Sequence, residues 1–540
     1  MSERSVRPDV AQDPVTEDRF RSASAMAELF APLEHLLGCG GDPRLAVDPA
    51  SGVNDYGCRL SPCPDMLSFA SCTATSISQQ AFDRAGDARQ QLLRSAIAVG
   101  LEAAFDARVE TMRGELKACL GLPQDNVDVI FSPSGTDSQL HALFLARALF
   151  SPDLTTVIVA ADQTGSGTGN TARGYHFNVV TANGELVRKG EPLAGIAGAV
   201  TSVALRLFDE TGNCRPQAAT DSEVLGAVEL SIANGSRVLL QIMDSSKLGW
   251  RAPSDQCLDQ IASRWSDRVQ IVVDACQMRL GRPRLRNYLD RGYMVIVTGS
   301  KFFTGPPFSG ALLVPAAMSK VFDTATEIAP GLRDYSSRSD WPMSWRRLRS
   351  RFPIRANFGQ WLRWEAALEE IRAYYEVPGE FRRSALAGFG CGVERIIASS
   401  PSLCLLPPQP RDGEAGLDDE EMAERTIFAF AVRRDGRALS ADECRKIYRA
   451  LARPAANADS AGDVASRVCL IGQPVALGGL EHHPTAVLRI CAGARLITGM
   501  WSSDPGFARR NLQRELDRVS AVVSKIEWLA SENANFPGVG

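Results

Sequence analysis

Short apolar runs rich in β-branched residues punctuate the middle of this chain, at Val127–Phe131, Thr156–Ala160, Val238–Met243, Val269–Asp274, Tyr293–Thr298 and Ala311–Val314. Near-continuous apolar character over so few residues predicts strands buried on both faces. Several of these runs are separated by segments with helical spacing, such as Ser138–Phe150 and Ser254–Trp265. Strands alternating with helices predict an α/β fold built on a mostly parallel sheet flanked by helices. Ligands of such sheets bind beyond the carboxyl ends of the strands, so the residues that follow each run are the ones to read for chemistry.

Other parts of the chain have a different rhythm. From Gln79 to Leu120 apolar positions recur at helical spacing (Leu92, Leu93, Ile97, Val99, Leu101, Phe105), which predicts one or two helices. A basic and aromatic stretch (Trp341, Trp345, Arg346, Arg347, Arg349, Arg351) leads into a long helical pattern over Phe358–Tyr375. Residues 376–540 read as a smaller α+β domain with strands at Thr426–Val432 and Ala486–Cys491 and a closing helix at Phe507–Ser531. Residues 1–65, rich in Pro, Gly, Asp and Cys, lack sustained periodicity and read as an irregular extension laid over the rest, with no chemistry assigned. The expected organisation is therefore 1–65 extension, 66–375 large domain and 376–540 small domain. The acidic run Asp412–Glu424 reads as a solvated loop or helix start.

Composition removes several classes of function. With 59 basic and 63 acidic side chains and no long basic run, the chain carries no footprint for nucleic acid. No stretch of 18 uncharged apolar residues exists, and Met1–Asp18 lacks an apolar signal core, so the expectation is a cytoplasmic protein with no membrane partner. Thirteen cysteines without a CxxC pair, and only five histidines (His35, His141, His176, His482, His483), predict reduced thiols and no metal site.

Three strand ends carry candidate chemistry. After Val127–Phe131 comes Ser132-Pro133-Ser134-Gly135-Thr136-Asp137, opening into a helix. Small residues, a hydroxyl and a helix N-terminus suit a phosphate, while an ordinary Ser/Asp cap is the alternative. Val269–Val273 ends in Asp274-Ala275-Cys276-Gln277. A carboxylate at a buried strand end needs a cationic partner, either a protonated pyridine nitrogen or a nearby arginine such as Arg279, Arg282 or Arg284. Tyr293–Thr298 ends in Gly299-Ser300-Lys301-Phe302-Phe303-Thr304-Gly305-Pro306. A lysine flanked by aromatics at a sheet mouth can be desolvated and made a better nucleophile for an aldehyde. A phosphate cradle, an acid for a ring nitrogen and an amine for an aldehyde together match the three handles of pyridoxal 5′-phosphate (PLP).

These segments resemble the class V aminotransferase group of fold-type I PLP-dependent enzymes, which includes the cysteine desulfurases, selenocysteine lyase and kynureninase. The resemblance rests on Asp274-Ala275-Cys276-Gln277, Thr298-Gly299-Ser300-Lys301 and the Gly305-Pro306 turn, and covers residues 66 to 375 better than the small domain. It implies a seven-stranded-type sheet in the large domain, a Schiff base on Lys301, Asp274 on the pyridine nitrogen and Gln277 on the ring hydroxyl oxygen. It further implies Thr298 and Ser300 joining Gly135 and Thr136 at the phosphate, and Ser246 as a ring-hydroxyl contact, with Lys247 as the rival lysine. For the substrate it implies Arg489 on the α-carboxylate and the Thr-rich segment Ser71–Thr75, with Thr75, close by. The segment Arg355–Gly359, with Asn357, reaches a neighbouring subunit's phosphate in relatives, which implies a homodimer.

The chain also departs from the pattern. Relatives place a flat side chain over the ring where this sequence has Ala161–Thr168, so stacking falls to Gln163, Thr164 or a residue elsewhere, with His176 a further candidate. Cys491 beside Arg489 reads as a buried, inert strand residue, which disfavours a sulfur-acceptor mechanism. The resemblance therefore implies an enzyme acting at the Cα-amino group of a small amino-acid substrate. A class V aminotransferase is the first expectation and a Cβ-lyase or epimerase the second; a catalytically degenerate scaffold is the reading from another class.

Overall fold

A computed structural model describes residues 25–150, 153–196, 200–324, 329–409, 420–454, 466–477 and 486–531. Met1–Asp18, His482, His483 and the acidic positions 412–419 lie outside the described residues. The apolar runs form a seven-stranded sheet of β2 (Val127–Ser132), β3 (Leu154–Ile158), β4 (Val200–Ala204), β5 (Arg237–Met243), β6 (Val269–Asp274), β7 (Met294–Thr298) and β8 (Gly310–Pro315), and β1 (Leu67–Phe69) precedes them in the chain. Spatial order is β2-β8-β7-β6-β5-β3-β4, with only β8 antiparallel to its two neighbours.

Two departures from the sequence pattern have local causes. The run expected at Thr156–Ala160 begins and ends earlier, because Ala160 turns into the left-handed region at φ 56°. β4 has no apolar run because it is the edge strand and is only partly buried.

A second sheet contains β1, β9 (Leu403–Leu405), β10 (Ile427–Arg434), β11 (Arg437–Ala438), β12 (Cys469–Ala476) and β13 (Ala486–Cys491). β1 pairs in parallel with β12, so the segment leading into the large sheet is anchored in the small one.

Helices start where the sequence supplies caps. Ser78, Ser254, Asn357 and Asp504 each accept backbone N–H bonds at the starts of helices Gln79–Val99, Asp255–Trp265, Phe358–Glu376 and Pro505–Ala530. Gly100 at φ 84° separates Gln79–Val99 from Leu101–Cys119.

Helix Phe358–Glu376 is buried on nearly every side and organises the molecule. Glu365, fully buried, pairs with Arg84 at 3.0 Å and with Arg108, and accepts from Trp361 Nε1. Losing one partner of such a buried pair costs about 3–5 kcal/mol. Arg363 donates instead to the carbonyls of Leu37, Cys39, Gly40 and Phe308. Those bonds tie the segment Leu37–Gly40 and the loop at Phe308 to this helix. No helix among the described residues is long and apolar enough to cross a membrane.

Candidate active site

β2 ends at Ser132 and the chain enters helix Gly135–Phe150 directly. A Cβ at Gly135 would lie 2.3 Å from Cys276 Sγ, so only glycine lets this turn lie against the end of β6. Ser134 Oγ donates to the buried Asp137 carboxylate. Burial pushes Asp137 up to about 7, with the Ser134 bond opposing it. A carboxyl group that is about half neutral near pH 7 repels an anion at this helix start less than an ordinary aspartate would.

At the end of β6, Asp274 accepts a 3.1 Å bond from the Cys276 N–H. At the end of β7, Gly299 N–H donates to Ser309 O, and Gly305 N–H donates back to Gly299 O, both at 2.9 Å. Thr304 and Phe308 take positive φ (59° and 68°), which closes the loop after Lys301. Phe302 and Phe303 do not shroud the lysine as the sequence suggested. They point into the core against Tyr374, at 5.2 and 5.8 Å between ring centres, and anchor the loop from behind.

These strand ends open onto one cavity of about 1340 Å³. Gly135, Thr136, Gln163 and Asp274 line it, and so do Gln277, Thr298, Ser300 and Lys301, with Arg489 reaching in from β13 of the small sheet. Two expected phosphate and ring ligands are already engaged: Thr298 Oγ1 donates to Cys276 O at 2.7 Å and Gln277 Nε2 to Cys72 O at 3.0 Å. Gln163 Oε1 and Thr168 Oγ1 are buried in the cavity wall with no hydrogen-bond partner among the described residues. Buried polar atoms of this kind call for a polar ligand or ordered water.

Three expected residues do not line the cavity. Ser246 Oγ is turned into its own loop, accepting from Leu248 N and Trp250 N at 3.1 Å each. Thr75 Oγ1 donates to Thr304 O at 3.0 Å and braces the lysine loop. Asn357 caps its helix, accepting from Gln360 N at 3.0 Å, and donates to Gly40 O at 3.2 Å. His176 also faces elsewhere, its Nδ1 lying 2.7 Å from Tyr335 Oη.

The expected Ser71–Thr75 segment reaches the cavity through Cys72 and Thr73 rather than Thr75. Arg44 from the extension and Gln473 from β12 line it too, each from a part of the chain without a local motif. Lys247, read from sequence only as a rival lysine, lines it too; burial, then Arg489 and Lys301, push its pKa down to about 8.

Arg489 donates only to neutral acceptors: Gln473 O at 2.7 and 3.1 Å, Lys247 O at 2.9 Å and Thr73 Oγ1 at 3.2 Å. Arg279 behind it is buried likewise, bonded to Ala492 O and Ser71 Oγ at 3.0 Å. Cys72 and Cys491 pack together beside both guanidinium groups. Burial acts to push the Cys72 thiol up, but the hydrogen bond with Cys491 and the charges of Arg489 and Arg279 outweigh it and hold it well below the ordinary thiol range. Burial and the same pairing push Cys491 well above that range.

The chain has an α/β architecture: a seven-stranded sheet with one antiparallel strand next to β2, a strand-end cavity, and a second sheet contributing to it. No family model matches the chain, and no curated protein matches its sequence. Among solved structures, a NifS-like protein from Rickettsia africae is similar at 10% identity and a TM-score of 0.48, over 86% of this chain and 99% of that one. The cysteine desulfurase CsdA from Escherichia coli is similar at 15% identity and 0.46, over 86% and 94%. The phosphoserine aminotransferase SerC from Cytophaga hutchinsonii is similar at 13% identity and 0.45, over 84% and 98%.

Proposed function

We propose that this chain is a PLP-dependent enzyme acting at the Cα-amino group of an amino acid, with transamination of the class V type as the first reaction and a Cβ-lyase as the second. The observation that carries the reading is the convergence of Lys301, Asp274 and the Gly135–Thr136 helix start on one cavity. The site fits the cofactor: its three handles meet an amine, a carboxylate and a cradle that excludes a side chain, and Gln163 Oε1 and Thr168 Oγ1 lack partners. PLP, when bound, supplies an electron sink for carbanion character at Cα.

The chain supplies the rest. Asp274 holds a proton on the ring nitrogen; Gly135, Thr136 and Ser300 bind the phosphate at the positive end of the helix. Lys301 would hold the cofactor through its amine, which is also the group placed to act as general base on the Cα proton. Arg489 orients the α-carboxylate. A homodimer, by the sequence resemblance alone, and a cytoplasmic location, from the apolar pattern of the chain, belong to the same proposal.

The test is to incubate purified protein with PLP, reduce with borohydride and locate the adduct by peptide mass spectrometry. A visible chromophore and a modified Lys301, both lost in Lys301→Ala, are expected. A wild-type protein that takes up no PLP would overturn the enzyme reading in favour of the scaffold. An adduct on Lys247 would overturn the assignment of the lysine.

A further inference from the structure

We propose that the cavity is built for amino acids carrying a second anionic group, a carboxylate or a phosphate, and that Lys247 is the residue that selects it. The inference deepens the proposed function and rests on its assignment of Asp274 to the cofactor and Arg489 to the α-carboxylate.

Lys247 is presented from a rigid turn. Ser246 N–H donates to Trp250 O at 2.8 Å, Ser246 Oγ accepts two further backbone bonds inside the turn, and Gly249 takes φ 82°. Its backbone carbonyl accepts from Arg489 Nη1 at 2.9 Å, so the two cationic residues are fixed side by side on the substrate end of the cavity.

Among the described residues, Asp162 and Asp274 are the acids that act most on the Lys247 ammonium. Asp162 is committed elsewhere, one oxygen accepting from Leu207 N at 2.8 Å and the other from Phe208 N at 3.1 Å. Asp274 is taken once it faces the ring nitrogen. The Lys247 ammonium makes no hydrogen bond or ion pair with any described residue, the Arg489 bond being to the backbone carbonyl.

Charge accounting then decides the substrate. A half-buried cation beside a buried guanidinium is unfavourable unless anions arrive. With the Cys72 thiolate set against Arg279 and one α-carboxylate on Arg489, the Lys247 ammonium still lacks a facing anion, which a second anionic group supplies. The outer wall carries the same bias, with Arg59, Arg449 and Arg453 against Asp48 and Asp55. A cavity of about 1340 Å³ also leaves room for a side chain longer than a methyl group beside a cofactor, since ordinary small-ligand pockets run to about 300–1,000 Å³.

The experiment uses PLP-loaded full-length protein and reads the change in the cofactor chromophore on titration with alanine, leucine, aspartate, glutamate and phosphoserine. Acidic amino acids are expected to half-saturate about tenfold lower than neutral ones, the gain of one charge-assisted hydrogen bond. Aspartate and glutamate against phosphoserine distinguish carboxylate from phosphate. Lys247→Met is expected to lower the ratio of neutral to acidic half-saturation about tenfold, and Lys247→Arg to retain it.

Equal responses to acidic and neutral amino acids, no response to any acidic one, or a Lys247→Met variant weakened uniformly would each overturn the proposal. Borohydride trapping on Lys301 in the wild-type protein separates the two readings. Trapping retained with no acidic preference sinks the selectivity alone; loss of all trapping sinks the cofactor assignment as well.

Discussion

Gly299 is the point at which the backbone of the lysine loop touches helix Phe358–Glu376, and enlarging it tests whether close packing sets the position of Lys301. A Cβ at residue 299 would lie 2.5 Å from Ala367 Cβ and 3.2 Å from Ser309 Oγ. Non-bonded carbons rest about 3.5–4.0 Å apart, so roughly 1 Å must open. Ala367 is fully buried on a helix buried almost all round, and the loop is bonded at Gly299 N and Gly305 N, so neither side yields freely. Overpacking of this kind costs about 1–3 kcal/mol. If the loop takes up the strain, Gly299→Ala should weaken PLP binding about 5- to 150-fold. PLP titration by absorbance and a thermal melt of the apoprotein measure the two halves of that cost. Ala367→Gly removes the opposing methyl, and the double variant should recover most of the affinity while losing about 0.5–1 kcal/mol of helix stability. Wild-type affinity and melting temperature in Gly299→Ala, or a double variant no better than the single, would refute the reasoning.

Other perturbations reach other parts of the site. Asp274→Asn keeps the shape and removes the charge, so borohydride trapping on Lys301 should persist while turnover falls on the order of 10²–10³-fold. Loss of trapping along with turnover would instead make Asp274 a folding residue. Cys72 stands below the ordinary thiol range, so in the apoprotein it should be alkylated by iodoacetamide nearly as fast at about pH 6 as at about pH 8, the thiolate being present at both. A rate that climbs about tenfold per pH unit over that interval, as for a thiol near 8.5, would show that Arg489 and Arg279 do not hold the anion. Cys491, pushed the other way, should stay unmodified throughout.

The parts of this protein that can be read directly from its sequence are those whose physics is local. A strand buried on both faces must be apolar along its length, so β2, β5, β6, β7 and β8 announce themselves, and the partly exposed edge strand β4 does not. Because ligand groups in such sheets follow the strand ends, Gly135, Asp274 and Lys301 could be singled out without coordinates. The small sheet was half legible: β10 and β13 are apolar runs, whereas β12 contains Gly472, Gln473 and Pro474 and is defined by its pairing with β1 and β13.

Side-chain direction and charge balance were decided only by the tertiary structure. Ser246, Thr75 and Asn357 sit in the expected segments, yet local backbone bonds claim each of them, because hydroxyls and amides in turns and caps bind their own backbone first. Phe302 and Phe303 face the core because Tyr374, 71 residues on from Phe303 in the chain, offers them aromatic edges. Arg44, Cys72 and Lys247 come to one cavity from three distant segments, and no spacing could signal that. The amino-acid sequence determined which strand ends could carry an amine, an acid and an anion cradle. Only the folded chain, through contacts among residues hundreds of positions apart, decided that Arg489 and Lys247 would share one end of the cavity, with Arg279 behind them and the Cys72 thiol set against the guanidinium groups.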